Sequence, residues 1–212
     1  MKKVLSLILC ILCMITLASC ATDSENVEAF VKGNLDSVLK NIHSEEYMTF
    51  TGEDISSLGE SFGNAVSSEA EYFLAYTGCE GSSQDIRNKA EEMIRNIFSG
   101  ASYDITQVNE NDNGYSVTVN VRPITNIADA VSTDTETLMK LLEDRYGNEL
   151  YKATDSERTD MCAEVVIENA DSGNIRYADE VSVEISVTED SDGMYVIPNE
   201  DFLKLYGNII LY

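Results

Sequence analysis

Basic residues are scarce in this chain: 14 Lys and Arg stand against 38 Asp and Glu, for a formal net charge of −24. Nucleic-acid binders carry a basic footprint, so that class of partner is excluded. Like charges repel within a Debye length of about 8–10 Å, which also keeps the protein body off an anionic lipid surface. The expected partners are basic, cationic or neutral, and the charge itself keeps a domain dispersed. Tryptophan is absent, which removes the usual stacking platform for sugars. His43 is the only histidine; just past a helix end it reads as a cation favoured by the helix dipole, with a general base near neutral pH as the alternative. No Gly-x-Ser-x-Gly, Ser-x-x-Lys, Gly-x-x-x-x-Gly-Lys or Gly-x-Gly-x-x-Gly occurs, so nucleophile-elbow, phosphate-loop and dinucleotide chemistry have no motif. No catalytic residue, cofactor site or metal ligand is assigned.

Long apolar runs are also lacking, with one exception at the start. Met1-Lys2-Lys3 precedes an apolar stretch from Val4 through Leu17, long enough for the core of a secretory signal and shorter than the roughly 18–20 residues that span a bilayer. Leu17-Ala18-Ser19-Cys20 resembles the lipobox of bacterial lipoproteins. That resemblance implies removal of residues 1–19, diacylglycerol on the Cys20 thiol, residues 20–26 as lipidated cysteine and short polar tether, and a protein held on the extracytoplasmic face of the cell membrane. Two acyl chains, at about 0.8 kcal/mol per buried methylene, anchor stably where one does not. Of five cysteines, Cys10 and Cys13 leave with the signal and Cys20 takes the lipid. Cys79 and Cys162 remain, too few with one histidine for a four-ligand zinc set of Cys and His. They read as two separate buried thiols, with a disulfide as the alternative outside the cytoplasm.

The rest of the chain alternates two periodicities. Val27, Phe30, Val31, Leu35, Val38, Leu39 and Ile42 form an apolar helix stripe, with Asp23 or Ser24 able to cap its start. Ile55, Leu58, Phe62, Val66, Phe73 and Leu74 form a second stripe, weakened by Gly59 and Gly63. Ile86, Ala90, Met93, Ile94 and Ile97 form a third, opened by a Ser82/Asp85 capping pattern and closed by Gly100. The period then becomes two: Tyr103, Ile105 and Val108 lead through the turn Asn111-Asp112-Asn113-Gly114 into alternating Tyr115, Val117, Val119 and Val121, and Pro123 closes the strand. Helices from about 127 to 146 and from about 150 to 170 follow. A second hairpin runs from Val181, Val183, Ile185 and Val187 through Asp190-Ser191-Asp192-Gly193 to Tyr195 and Ile197. A short helix begins at Pro198-Asn199 and carries Phe202, Leu205 and Tyr206.

Two isolated hairpins are marginal. One four-stranded antiparallel sheet packed against several helices is the economical solution, an α+β fold. No Pro/Gly/Ser-rich linker interrupts residues 27–212, which are therefore expected to form a single α+β domain. The acidic mature chain, the opening Val27-Glu28-Ala29-Phe30-Val31-Lys32 helix and the later hairpins are similar to lipoproteins of Gram-positive bacteria with NTF2-like or cystatin-like folds. That resemblance implies a sheet curled around a helix, leaving a cone-shaped pocket.

The acidic turns at 109–114 and 189–193 carry oxygen ligands beside a glycine. They lack the spaced pattern of an EF-hand loop and fit hairpin turns, with calcium binding as the alternative. Tyr72, Tyr76, Tyr146 and Tyr151 read first as packing and second as one binding surface. Taken together, the residues point to a non-enzymatic lipoprotein joined to the membrane by its lipid and binding a protein or small ligand. An NTF2-like enzyme using a pocket carboxylate or Tyr, and a calcium-dependent surface protein, are the alternatives.

Overall fold

The computed structural model describes residues 23–171, 173–191 and 194–212. The leader and lipobox, Cys20 included, lie outside the described residues, as do Asp192 and Gly193. The fold is α+β and 60% helical, with a four-stranded antiparallel sheet. No helix among the described residues is long and apolar enough to cross a membrane. The described residues divide into two compact units, one within 23–65, 101–123 and 178–210, the other within 66–100, 124–177 and 211–212.

The first unit holds the sheet. Strands β1 (Ser102–Asn111), β2 (Gly114–Arg122), β3 (Val181–Glu189) and β4 (Tyr195–Val196) lie in the order β1-β2-β3-β4, the two hairpins expected from period-two alternation. Val117, Val119, Val121, Val183, Ile185 and Val187 are buried and face one another in register, Val119 with Val183 and Val117 with Ile185. A bulge at Thr106 shifts the β1–β2 register, which brings Val108 opposite Val117 on the apolar face. Helix α1 (Asp23–Lys40) packs on β1, and α9 (Asn199–Ile209) lies along β3. There the Asp201 carboxylate accepts the Ser186 N–H at 2.9 Å and Lys204 Nζ donates to Glu184 O at 2.7 Å, so α9 satisfies backbone groups on the edge of β3. Phe30 of α1, Tyr195 and Tyr115 form a ring chain with 5.9 Å between successive centroids.

Helix α1 begins four residues earlier than the stripe implies. Asp23–Asn26, expected as tether, form its first turn: Asp23 and Glu25 complement the positive helix end, and Asn26 and Val27 are buried. At its other end Ile42 is exposed, beyond the helix. A short α2 (Glu45–Thr51), which has too few residues to show a period, is started by the Ser44 hydroxyl accepting the Tyr47 N–H at 3.0 Å. Helix α3 (Ile55–Tyr76) runs through Gly59 and Gly63 without interruption, because Leu58, Phe62 and Val66 are buried around them; Ile55 is exposed at its first position.

The second unit is helical, with α4 (Gln84–Ser99), α5 (Asn126–Val131), α6 (Thr135–Tyr146), α7 (Asn148–Lys152) and α8 (Asp155–Ala170). Each of the two long helices expected between 127 and 170 is broken by a local cap. The Asp134 carboxylate accepts the Thr137 N–H at 2.9 Å and starts α6. Thr154 and Glu157 form a reciprocal capping box that starts α8. Four orphan N–H groups at each new helix start make such caps worth about 1 kcal/mol. At the start of α4 the N-cap position is Ser83 and not the expected Ser82, and its side chain makes no capping bond. Asn126, 1% exposed, donates to Ala170 O and Asn174 O and accepts the Arg176 N–H, tying the end of α8 to α5.

Candidate functional site

A cleft of about 400 Å³ opens in the first unit between α1 and the start of α2. Its α1 wall is Glu25, Glu28, Ala29, Lys32, Gly33 and Asp36, steps of three and four that place them on one helix face. Ile42, Ser44 and Glu46 supply the opposite wall. Four carboxylates and one ammonium therefore share a space with an exposed apolar side chain, Ile42.

Asp36 is the buried member of the set. Lys32 pairs with it one turn away, Lys40 Nζ lies 3.6 Å from it, and the Tyr103 hydroxyl of β1 donates to it at 2.6 Å. Lys40 also sits 4.2 Å from the centre of the Tyr103 ring, a cation–π contact. Burial alone would raise the Asp36 carboxyl. The hydrogen bonds from Lys32 and Tyr103 and the charges of Lys32 and Lys40 outweigh it and hold the carboxyl below its ordinary 3.8. Burial, then the bond to Asp36, pushes the Tyr103 hydroxyl up. The proton stays on Tyr103 and the negative charge on Asp36.

Two consequences follow for Asp36→Asn. The variant is expected to lose about 1–3 kcal/mol, the worth of hydrogen bonds to a charged group. Because the folded carboxyl titrates lower than the unfolded one, its contribution is complete above about pH 4 and disappears as pH falls through the folded value. Urea unfolding of wild type and variant from pH 7 to pH 2 should show two curves converging on the acid side. A constant offset across that range would remove Asp36 as the group responsible.

Gly33 forms the floor of this wall against α2. A Cβ there would lie 2.5–2.7 Å from the Cδ2, Cγ and Cβ atoms of Tyr47, so the close approach of α2 to α1 depends on a residue without a side chain. His43 lies beside the cleft. Its Nδ1 meets Ser37 Oγ at 3.1 Å and its Nε2 meets Asn41 Oδ1 at 3.0 Å. Burial lowers its pKa below the ordinary 6.5, which disfavours the cation expected at the helix end, and the ring braces the turn after α1.

The tyrosines singled out in the sequence separate into two groups. Tyr72 and Tyr76 pack with Tyr212, ring centres 5.0–6.0 Å apart, and the Tyr212 hydroxyl donates to the buried carboxylate of Glu69. Tyr146 and Tyr151 instead donate to Glu164 and Glu143. The acidic turns close their hairpins: Asn111 Oδ1 accepts the Asn113 N–H at 2.9 Å, and the Asp190 N–H donates to Met194 O at 2.8 Å while the Asp190 carboxylate accepts the Met194 N–H at 3.1 Å. Among the described residues no group of three or more His, Cys, Asp or Glu could hold a metal ion. Cys79 and Cys162, read as separate, are free thiols close enough to shift each other's titration.

No protein-family model and no curated protein matches the chain. A crystal structure of ycdA from Bacillus subtilis subsp. subtilis str. 168, whose name calls it a lipoprotein, is similar in fold, with a TM-score of 0.57 at 15% sequence identity. The likeness covers 88% of this chain and 56% of that one, so the chain spans little more than half the length of its neighbour. At that identity the likeness is one of fold.

Proposed function

We propose that this chain is a lipid-anchored extracytoplasmic lipoprotein whose first unit binds a cationic ligand, or a basic segment of a partner protein, in the cleft between α1 and α2. The carrying observation is the row of carboxylates at Glu25, Glu28, Asp36 and Glu46 around one recess. Asp36 is already neutralised by Lys32 and Lys40, so Glu28 and Glu46 of the lining are the carboxylates that meet a ligand's positive charge, while Ile42 offers an apolar contact for its stem. The lipobox, and a fold shared with a protein named as a lipoprotein, support the anchoring. Ala21 and Thr22 alone lie between Cys20 and Asp23, a reach of about 10 Å when extended. The cleft begins two residues further on, so a lipid on Cys20 confines it to the membrane surface and raises its effective concentration toward neighbours there. An antiparallel sheet packed on α1 supports reading the unit as NTF2-like or cystatin-like. An acid–base enzyme of that class calls for a pocket carboxyl of raised pKa. Asp36 is shifted the opposite way, and Glu53, which burial and then Asp54 push up, does not line the cleft.

The test is calorimetric titration of the full chain with spermine. Glu28→Gln/Glu46→Gln is expected to weaken binding about tenfold or more, and Glu92→Gln/Glu149→Gln, which removes the same charge elsewhere, about twofold or less, the difference between paired local charges and a screened distant field. Equal losses in the two variants would sink the cleft as the site. Anchoring is checked by detergent partition: Cys20→Ala should move the chain from the detergent phase to the aqueous phase, and an unchanged distribution would refute the lipid.

A further inference from the structure

Cys79 and Cys162 are brought together by anchors on either side of them. Cys79 follows α3 in a tight turn, its N–H bonded to Leu74 O at 2.6 Å and its carbonyl accepting the Ser82 N–H at 3.0 Å. The Ser83 N–H then donates to Asp160 Oδ1 at 2.8 Å, and Lys89 pairs with Glu164. Asp160 and Glu164 flank Cys162 in sequence on α8, so the two anchors hold that turn of α8 against the end of the Cys79 loop and the start of α4. The two thiols lie close enough for each to shift the other's titration, and the Cys79 thiol donates to Thr77 O at 3.7 Å.

The two sulfurs differ in access. Cys79 is 2% exposed. Cys162 is partly exposed and lines a cavity of about 430 Å³ with Leu142, Leu150, Tyr151 and Arg158. We propose that Cys79 and Cys162 are a modification site, a dithiol that closes to a disulfide when a small disulfide compound reaches Cys162 through this cavity. The inference is independent of lipid anchoring. The Cys162 thiolate attacks one sulfur of the donor and expels its other half as a thiolate, giving a mixed disulfide. Cys79 gives its proton to the solvent and attacks the Cys162 sulfur, expelling the second half. Two electrons pass from the protein thiols to the donor, which ends as two thiols. Access makes Cys162 the nucleophile and buried Cys79 the resolver, in keeping with the direction of their mutual influence, which lowers the Cys162 thiol and raises the Cys79 thiol.

The experiment uses the full chain carrying Cys10→Ser, Cys13→Ser and Cys20→Ser, so that Cys79 and Cys162 are its thiols. After incubation with oxidised glutathione at pH 8, mass spectrometry is expected to show the loss of two hydrogens and a Cys79–Cys162 crosslinked peptide. Tm should rise by roughly 5–15 °C, the scale for a disulfide closing a long loop in a chain of this size. Adding Cys79→Ser should trap Cys162 as a stable glutathione adduct, and adding Cys162→Ser should leave Cys79 unmodified. Two thiols that both remain open to alkylation after unfolding, or a glutathione adduct that persists on Cys162 with Cys79 present, would overturn the proposal.

Discussion

Gly114→Ala is expected to cost about 3 kcal/mol or more and to broaden or abolish the cooperative unfolding transition. Gly114 opens β2 with a φ of +129°, a region that L side chains rarely adopt and that costs of order 1–3 kcal/mol to hold. Strain is the smaller part. A Cβ at this position would lie 2.3 Å from Val187 O and 3.1 Å from the Thr188 Cα, both backbone atoms of β3. The next residue, Tyr115, is paired with Val187 in the central β2–β3 ladder, so relief requires separating the strands where the sheet core begins. A one-residue slip would turn Val117, Val119 and Val121 out of the core. Guanidinium unfolding measures the loss, and a cost below about 1 kcal/mol would mean that β2 and β3 do not approach as closely as Gly114 allows.

Gly33→Ala carries the second large effect, and it reaches the cleft. Alanine favours a helix interior over glycine by about 0.8–1.0 kcal/mol, so propensity alone predicts a gain. Packing reverses the sign. The new methyl group meets the Cβ and Cγ of Tyr47, the inflexible base of a side chain that is 1% exposed, and α2 must move as a whole. Overpacking of this kind costs about 1–3 kcal/mol and should exceed the propensity gain. Displacing α2 also carries Glu46 away from Glu28 and Asp36, so spermine affinity should fall with stability. Gly63→Ala is the control, in the interior of α3 with nothing within 4 Å of its Cβ; it should stabilise by about 0.5–1 kcal/mol and leave binding unchanged. If Gly33→Ala also stabilises, α1 and α2 are not in contact as described.

The strands were the most legible elements. Alternation in Tyr115–Val121 and Val181–Val187 has period two, and Asn111-Asp112-Asn113-Gly114 is turn chemistry of the kind a hairpin requires, so strand pairing and the buried face follow locally. Helix existence was equally legible from the stripes of α1, α3 and α4. Helix limits were not, because apolar periodicity continues across a break that one capping side chain creates. Asp134 with Thr137, and Thr154 with Glu157, were the available signals. The cleft was half legible: Glu25, Glu28, Lys32 and Asp36 share one helix face, yet in a chain with 38 acidic residues such rows are common. Glu46 and Ile42 join them only because Gly33 admits Tyr47.

Charge, an apolar leader with a lipobox-like end, the alternation of helices with two hairpins and the α+β class are properties of the sequence by itself, since each depends on composition or on contacts between residues close in the chain. Tertiary structure alone decided that Asp36 holds its charge beneath Tyr103, that Ile42, Ser44 and Glu46 face the acidic side of α1, and that Cys79 meets Cys162. Those pairs are set by how helices and strands pack, and the free energy that joins them comes from buried apolar surface and shared hydrogen bonds, which carry no mark at the positions they bring together.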